Sequence, residues 1–144
     1  MHRFIYTSTA VAPLSDQQLA DIAGACHRNN RRAGLSGLLV MHKGKFLHVL
    51  EGEESRIRMV CDRIQHDRRH RDFKVIEVAS IDERAFSRFT VVHETPQKLP
   101  LLGGETVLPL SALLPSNSKE RGAVTSVRKA VRDFLASFSV LLAA

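Results

Sequence analysis

The chain has 144 residues, with 21 lysines and arginines against 15 acidic residues, a formal charge of +6 at neutral pH. That length supports one domain with a core of its own, and the composition excludes disordered, collagen-like and disulfide-stapled classes. The basic surplus suits a phosphate-bearing partner without proving one.

The opening "MHRFIYTS" reads as a strand, with Phe4 to Ser8 at its centre, rather than as a basic and then apolar leader. Ser15 begins a helix, because Ser15 and Gln18 have the spacing of a capping box. Leu19, Ile22, Ala23 and Cys26 then recur at helical intervals and give it one buried face. Asn residues and Gly34 in "HRNNRRAG" supply its stop signals. Leu35 to Met41 and Phe46 to Leu50 form a hairpin turning at Gly44 in "HKGK". Glu53 and Glu54 open a second helix, acidic at its start as the helix dipole favours. Its inner face is Ile57, Val60, Cys61 and Ile64, and "HDRRHR" closes it with a basic cluster. Phe73 to Val78 and Phe89 to His93 are further strands.

The order is β-α-β-β-α-β-β, an α+β, ferredoxin-like core with two helices on one face of a five-stranded mixed sheet. The expected boundary divides a domain at 1–95 from a C-terminal helical extension at 96–144. Within the extension, "PSNSKERG" at 115–122 is the linker candidate. The last helix starts near Thr125 and carries a seam of Val127, Val131, Phe134, Phe138 and Leu141, suited to the sheet's open face or to a partner helix. Its apolar run "FLASFSVLLAA" is about half the ~20 residues of a membrane span. Cys26 and Cys61 sit on helix stripes and belong to no CxxC pair, which suits reduced core thiols. A cytoplasmic protein, not bound to membrane, is the expectation.

Chemistry-bearing residues gather in three places: Tyr6 on the first strand, "RNNRR" ending the first helix, and "RIQHDRRH" ending the second. In a ferredoxin-like sheet the first and third strands are central neighbours, so Tyr6 and His48 of "GKFLHVLEG" can lie side by side. A planar ligand between the helices would then meet both, together with the Asn29 and Asn30 amides. Taken singly, each residue has a plain structural explanation. Tyr6 and His48 can be core residues with their polar atoms satisfied, and the asparagines can simply end a helix. Arg63, Arg68, Arg69 and Arg71 can be a solvated face favoured by a helix C-terminus. His66 and His70 lie one helical turn apart with no third ligand at metal spacing, so no metal site is assigned.

Taken in order, "FIYTS", "NNRRAGLSGLLV", "GKFLHVLEG" and "RIQHDRRHRDF" resemble the BLUF family of blue-light sensors that use FAD, over roughly residues 2–95. The resemblance implies a flavin held between the two helices, its ring edge towards the central strands. Tyr6 then matches the tyrosine that gives an electron and a proton to the excited flavin, and Asn30, with Asn29 beside it, the amide on the ring's polar edge. Arg63 and Asp67 match polar contacts from the second helix, with Arg69 and His70 extending that rim towards a diphosphate. Two positions depart from the pattern. His48 stands where the family has its photoactive glutamine, and Phe89 and Val91 stand where the late strand carries tryptophan and methionine. The implied protein is a sensor and not an enzyme, signalling as a homo-oligomer to a separate protein partner, with a photoswitch altered by His48. A flavin-binding or protein-interaction module without photoactivity is the alternative.

Two other functions share this fold but lack their signature residues here. An RNA-binding module needs exposed stacking aromatics on its signature strand, and "KGKFLHVL" does not supply them. An acylphosphatase-type hydrolase needs an arginine after the first strand, and "TSTAVAPLS" has none.

Overall fold

A computed structural model of the chain describes residues 1–93 and, further on, Val127, Lys129, Ala130, Asp133 and Phe134. Within residues 1–93 the expected order is present: β1 (His2–Ala10), α1 (Asp16–Arg32), β2 (Ser36–His42), β3 (Lys45–Gly52), α2 (Glu54–Gln65), β4 (His70–Ser80) and β5 (Phe89–His93). The strands line up as β4-β1-β3-β2-β5; the first four pair antiparallel and β5 joins β2 in parallel.

Local chemistry explains the helix ends and the hairpin. Ser15 and Gln18 form the capping box reciprocally at the start of α1. The helix runs through both asparagines to Arg32, so Asn29 and Asn30 are not its stop. It ends at Gly34, whose φ of 69° lets Gly34 N–H reach Arg31 O and Leu35 N–H reach Asn30 O. Lys43 and Gly44 both take positive φ, 46° and 75°, the pair of values that a two-residue hairpin needs to match strand twist.

The strands outrun their apolar cores, because ladder hydrogen bonds form whatever the side chain. β4 spans His70–Ser80 rather than 73–78. α2 therefore stops at Gln65 with His66 as its cap, and His70 begins a strand. His66 and His70 are not one helical turn apart. His66 Nδ1 bonds Asp62 O at 2.7 Å, while His70 Nδ1 meets Ser8 Oγ at 3.2 Å.

Strand alternation separates two packed layers. On one face, Phe4, Tyr6, Leu39, Met41, Phe46 and Leu50 pack under α1 and α2, with Ile22, Ile57 and Cys61. On the other, Ile5, Leu38, Val40, Leu47 and Val49 pack with Ala85 and Phe86 and with helical Val127, Ala130 and Phe134. Two seam positions of the C-terminal helix, Val127 and Phe134, thus lie against the sheet. The linker at 115–122 and the seam positions Val131, Phe138 and Leu141 fall outside the described residues. No described helix is long and apolar enough to cross a membrane.

The second layer holds a buried ion pair. Arg3 and Glu51 are direct cross-strand partners, 1 % and 0 % exposed. Arg3 Nε and Nη2 reach Glu51 Oε2 at 3.0 and 2.5 Å. The same carboxylate accepts the backbone N–H groups of Ala85 and Phe86 at 3.0 and 2.8 Å. Arg84 adds bonds to Ser36 Oγ, Glu51 O and Gly34 O. Glu51→Ala leaves a buried guanidinium and two buried N–H groups unpaired, so urea unfolding should show a loss of about 3–5 kcal/mol. The double variant Arg3→Met/Glu51→Leu should recover only part of it, because the two N–H groups stay orphaned.

Candidate functional site

A cleft opens between α1, α2 and the central strands, with ≈ 720 Å³ of empty space including its mouth. All eight expected site residues, Tyr6, Asn29, Asn30, His48, Arg63, Asp67, Arg69 and His70, lie on its wall. β1 and β3 bring Tyr6 directly opposite His48. Helical spacing carries Cys26 and Asn30 round to the inner face of α1, and Val60, Arg63 and Ile64 to the facing side of α2. The turn after α2 contributes Asp67 and Arg69, and the first residue of β4 contributes His70.

The floor of the cleft is polar but uncharged. Tyr6 OH and His48 Nδ1 are joined by a hydrogen bond. Their rings lie 4.8 Å apart at 55°, and Phe73 packs on Tyr6 at 4.8 Å. Burial raises the Tyr6 phenol well above its ordinary range, with Cys61 and Cys26 adding to the effect. Burial lowers His48 to about 3, with His70 pushing the same way. Cys26 is pushed up to about 11, mainly by burial. The phenol therefore keeps its proton and the imidazole is neutral. A phenol is the better donor and a neutral imidazole nitrogen the better acceptor, so Tyr6 O–H donates to Nδ1 and Nε2 carries the ring hydrogen. His48 Nε2 and Asn30 Nδ2 are both buried with no hydrogen-bond partner among the described residues. Two orphaned donors on the wall of one cleft mark where a ligand's acceptors would sit.

The mouth is charged. Arg69 holds Asp67 in a fork, with Nη2 to Oδ2 at 2.7 Å and Nε to both oxygens at 3.1 Å. Their shared hydrogen bond is the first cause of both shifts, lowering Asp67 and raising Arg69. Arg63 is exposed at the rim without a salt bridge among the described residues. Asn29 is an exposed lip residue.

Sequence reasoning missed several members of the wall. Ser8 is bonded to His70, and the Phe46 ring lies 4.9 Å from the His70 ring. Cys26 reads as a core thiol in the sequence, yet it is four residues before Asn30, a spacing that puts both on one helix face. Outside the cleft lining, Phe89, which the resemblance sets at the tryptophan position, lies 5.5 Å from the His48 ring and 6.0 Å from the His27 ring.

Fold and cleft together define a ferredoxin-like α+β module with a cleft between its two helices. The chain belongs to the BLUF family, "Sensors of blue-light using FAD", whose model matches residues 1–92. It is 32% identical over 81 residues to the photoactivated adenylate cyclase subunit alpha of Euglena gracilis, covering 56% of this chain and 8% of that protein. It is 30% identical over 95 residues to the subunit beta, covering 65% of this chain and 11% of that protein. The chain thus spans about a tenth of these relatives. Among solved structures, the photo-activated state of BlsA aligns with TM-score 0.61 and 26% identity, over 94% of this chain and 92% of that one. Klebsiella pneumoniae BlrP1, in a complex with FMN and cyclic diGMP, aligns with TM-score 0.76 and 22% identity, over 94% of this chain and 35% of that one.

The neutral His48 has a pH signature. Its folded pKa of about 3 lies below the ordinary 6.5, so the unfolded chain takes up a proton that the folded chain refuses. Stability contributed at neutral pH is therefore lost as pH falls from about 6.5 towards 3, at up to ~1.4 kcal/mol per pH unit. His70, also lowered chiefly by burial, acts in the same direction. Urea unfolding across that range should show the loss, and His48→Phe should flatten its slope.

Proposed function

We propose that the cleft binds FAD non-covalently and that the chain is a blue-light sensor with an altered switch. The observation that carries this is the pair of orphaned buried donors, Asn30 Nδ2 and His48 Nε2, beside the Tyr6 phenol. When bound, the flavin supplies blue-light absorption and a one-electron acceptor. Asn30 and His48 would donate to the polar edge of its ring. The uncharged floor suits an aromatic ring system, and the charged mouth suits a phosphate tail. Arg63, with no salt bridge among the described residues, is the foremost phosphate ligand. Asp67 acts through Arg69, which it fixes in place. The family description supports FAD over FMN.

His48 distinguishes this chain from the family pattern. A glutamine amide carries donor and acceptor on one carbon and can exchange them between tyrosine and flavin. The imidazole has them on opposite sides of a rigid ring, and a ring flip puts a C–H where a nitrogen was. It can bridge Tyr6 and the flavin but cannot perform the exchange. Because burial keeps the ring neutral, protonation adds no second state near pH 7. The spectrum of the bound flavin should not change between pH 6 and 8 through His48, in contrast to an exposed histidine titrating at about 6.5. The same residue favours a second reading, a flavin-binding interaction module without a photocycle.

We further propose the division at 1–95 and 96–144, with the C-terminal helix over the sheet's second face carrying the signal to a separate protein. A homo-oligomer working in the cytoplasm is part of this reading.

Two measurements test the proposal. Asn30→Ala should weaken FAD binding by about 1–3 kcal/mol in a fluorescence titration, and a parent chain that stays colourless with excess FAD overturns it. His48→Gln should gain a persistent red shift of the flavin absorption under blue light that the parent lacks. A full shift in the parent would show that His48 does the work of the amide.

A further inference from the structure

We propose that His48 Nδ1 is the base that takes the phenolic proton of Tyr6 when that ring loses an electron, so that the two form a proton-coupled redox pair. The proposal rests on the flavin reading only for the natural oxidant, a photoexcited flavin. The pair itself is a property of the chain.

Three observations lead to it. The sequence holds one tyrosine and no tryptophan, so a one-electron oxidant in the cleft meets a single readily oxidised aromatic side chain. That ring is sealed from solvent, as is its partner: Tyr6 is 1 % and His48 2 % exposed. A phenol stripped of an electron becomes a strong acid, and in a dry site its proton needs a base already within hydrogen-bond reach. His48 Nδ1 occupies that position.

The other polar groups of the cleft are less suited. The Asn30 amide is not a base. Asp67 is committed to Arg69, and the Cys26 thiol is held in its protonated form by burial. His70 Nδ1 is bonded to Ser8 Oγ at 3.2 Å. The β1–β3 register, which places Tyr6 opposite His48, fixes donor and acceptor without any loop having to move.

The step balances. Tyr6 gives one electron to the oxidant and breaks its O–H bond, and the proton forms a new N–H bond at His48 Nδ1. A neutral tyrosyl radical and an imidazolium remain, and the oxidant is reduced by one electron. The imidazolium keeps one N–H on the tyrosyl oxygen and presents Nε2–H to the cleft. The proton thus stays one hydrogen bond from its origin, so electron return restores the starting pair directly. That is why the switch is blunted.

The ligand-free full chain tests this, because Tyr6 alone accounts for its tyrosine emission. An excited phenol is a much stronger acid than its ground state, so proton transfer to His48 Nδ1 should quench emission from the parent relative to the urea-unfolded chain, and the quenching should weaken in deuterium oxide. His48→Gln and His48→Phe should brighten it and abolish the solvent isotope effect, with Tyr6→Phe as the blank. Flash oxidation by a ruthenium(III) polypyridyl complex should yield the neutral tyrosyl radical in the parent. Removing the positioned base in His48→Phe should slow that oxidation roughly 100-fold or more. Bright parent emission without an isotope effect, or an oxidation rate indifferent to both variants, overturns the proposal. A chain that shows these effects but does not bind FAD overturns the flavin reading and leaves the pair standing.

Discussion

The register of β1 on β3 is the constraint on which both faces of the sheet depend. It sets Arg3 against Glu51 and Tyr6 against His48. These pairs are three residues apart, an odd number, so strand alternation sends them to opposite faces. A slip of one residue would bury the ion pair under the helices and turn the phenol and imidazole away from the cleft. Glu51 guards against that slip. Its carboxylate is satisfied only where Arg3 and the Ala85 and Phe86 N–H groups converge. A buried charge without partners costs several kcal/mol, so alternative registers are disfavoured by more than lost packing.

The same carboxylate links the cleft to the far side of the molecule. Glu51 lies three residues beyond His48 on β3, and Ala85 and Phe86, which it anchors, share a core with Val127, Ala130 and Phe134. A change in hydrogen bonding at Tyr6 and His48 therefore has a short covalent and packed path to the C-terminal helix. The path is contiguous, and contiguity alone does not make it a signalling route. It does identify the elements that a ligand in the cleft would bias if the two faces are coupled.

The cleft separates charge by depth. Desolvation keeps Tyr6 and Cys26 protonated and His48 neutral at its floor, while Arg63 and the Asp67–Arg69 fork stay at the mouth where water screens them. Such a gradient suits a ligand with a flat uncharged ring and an anionic tail. A neutral histidine at the floor leaves that gradient intact.

Much of this was legible in the sequence because it is local. The capping box at Ser15, the hairpin at Gly44 and the apolar stripes of both helices depend on neighbours a few residues away. The order of strands and helices follows from those periodicities, and family spacing placed all eight expected residues on one wall. Other features had to wait for the tertiary structure because their partners are distant in the chain. No periodicity announces that Glu51, in an apolar strand, will meet Arg3 and the 85–86 backbone. His70 read as the end of a helix until pairing with β1 drew it into β4. The state of His48 was also undetermined, because an imidazole in isolation titrates near neutrality. Only burial against Tyr6 and Phe89 holds it neutral, with Nδ1 on the Tyr6 hydroxyl and Nε2 without a partner among the described residues. Sequence alone set which groups are available for proton and electron chemistry, since it contains one tyrosine and no tryptophan. Tertiary structure decided which of them touch, because desolvation and hydrogen-bond geometry exist only once distant strands are paired.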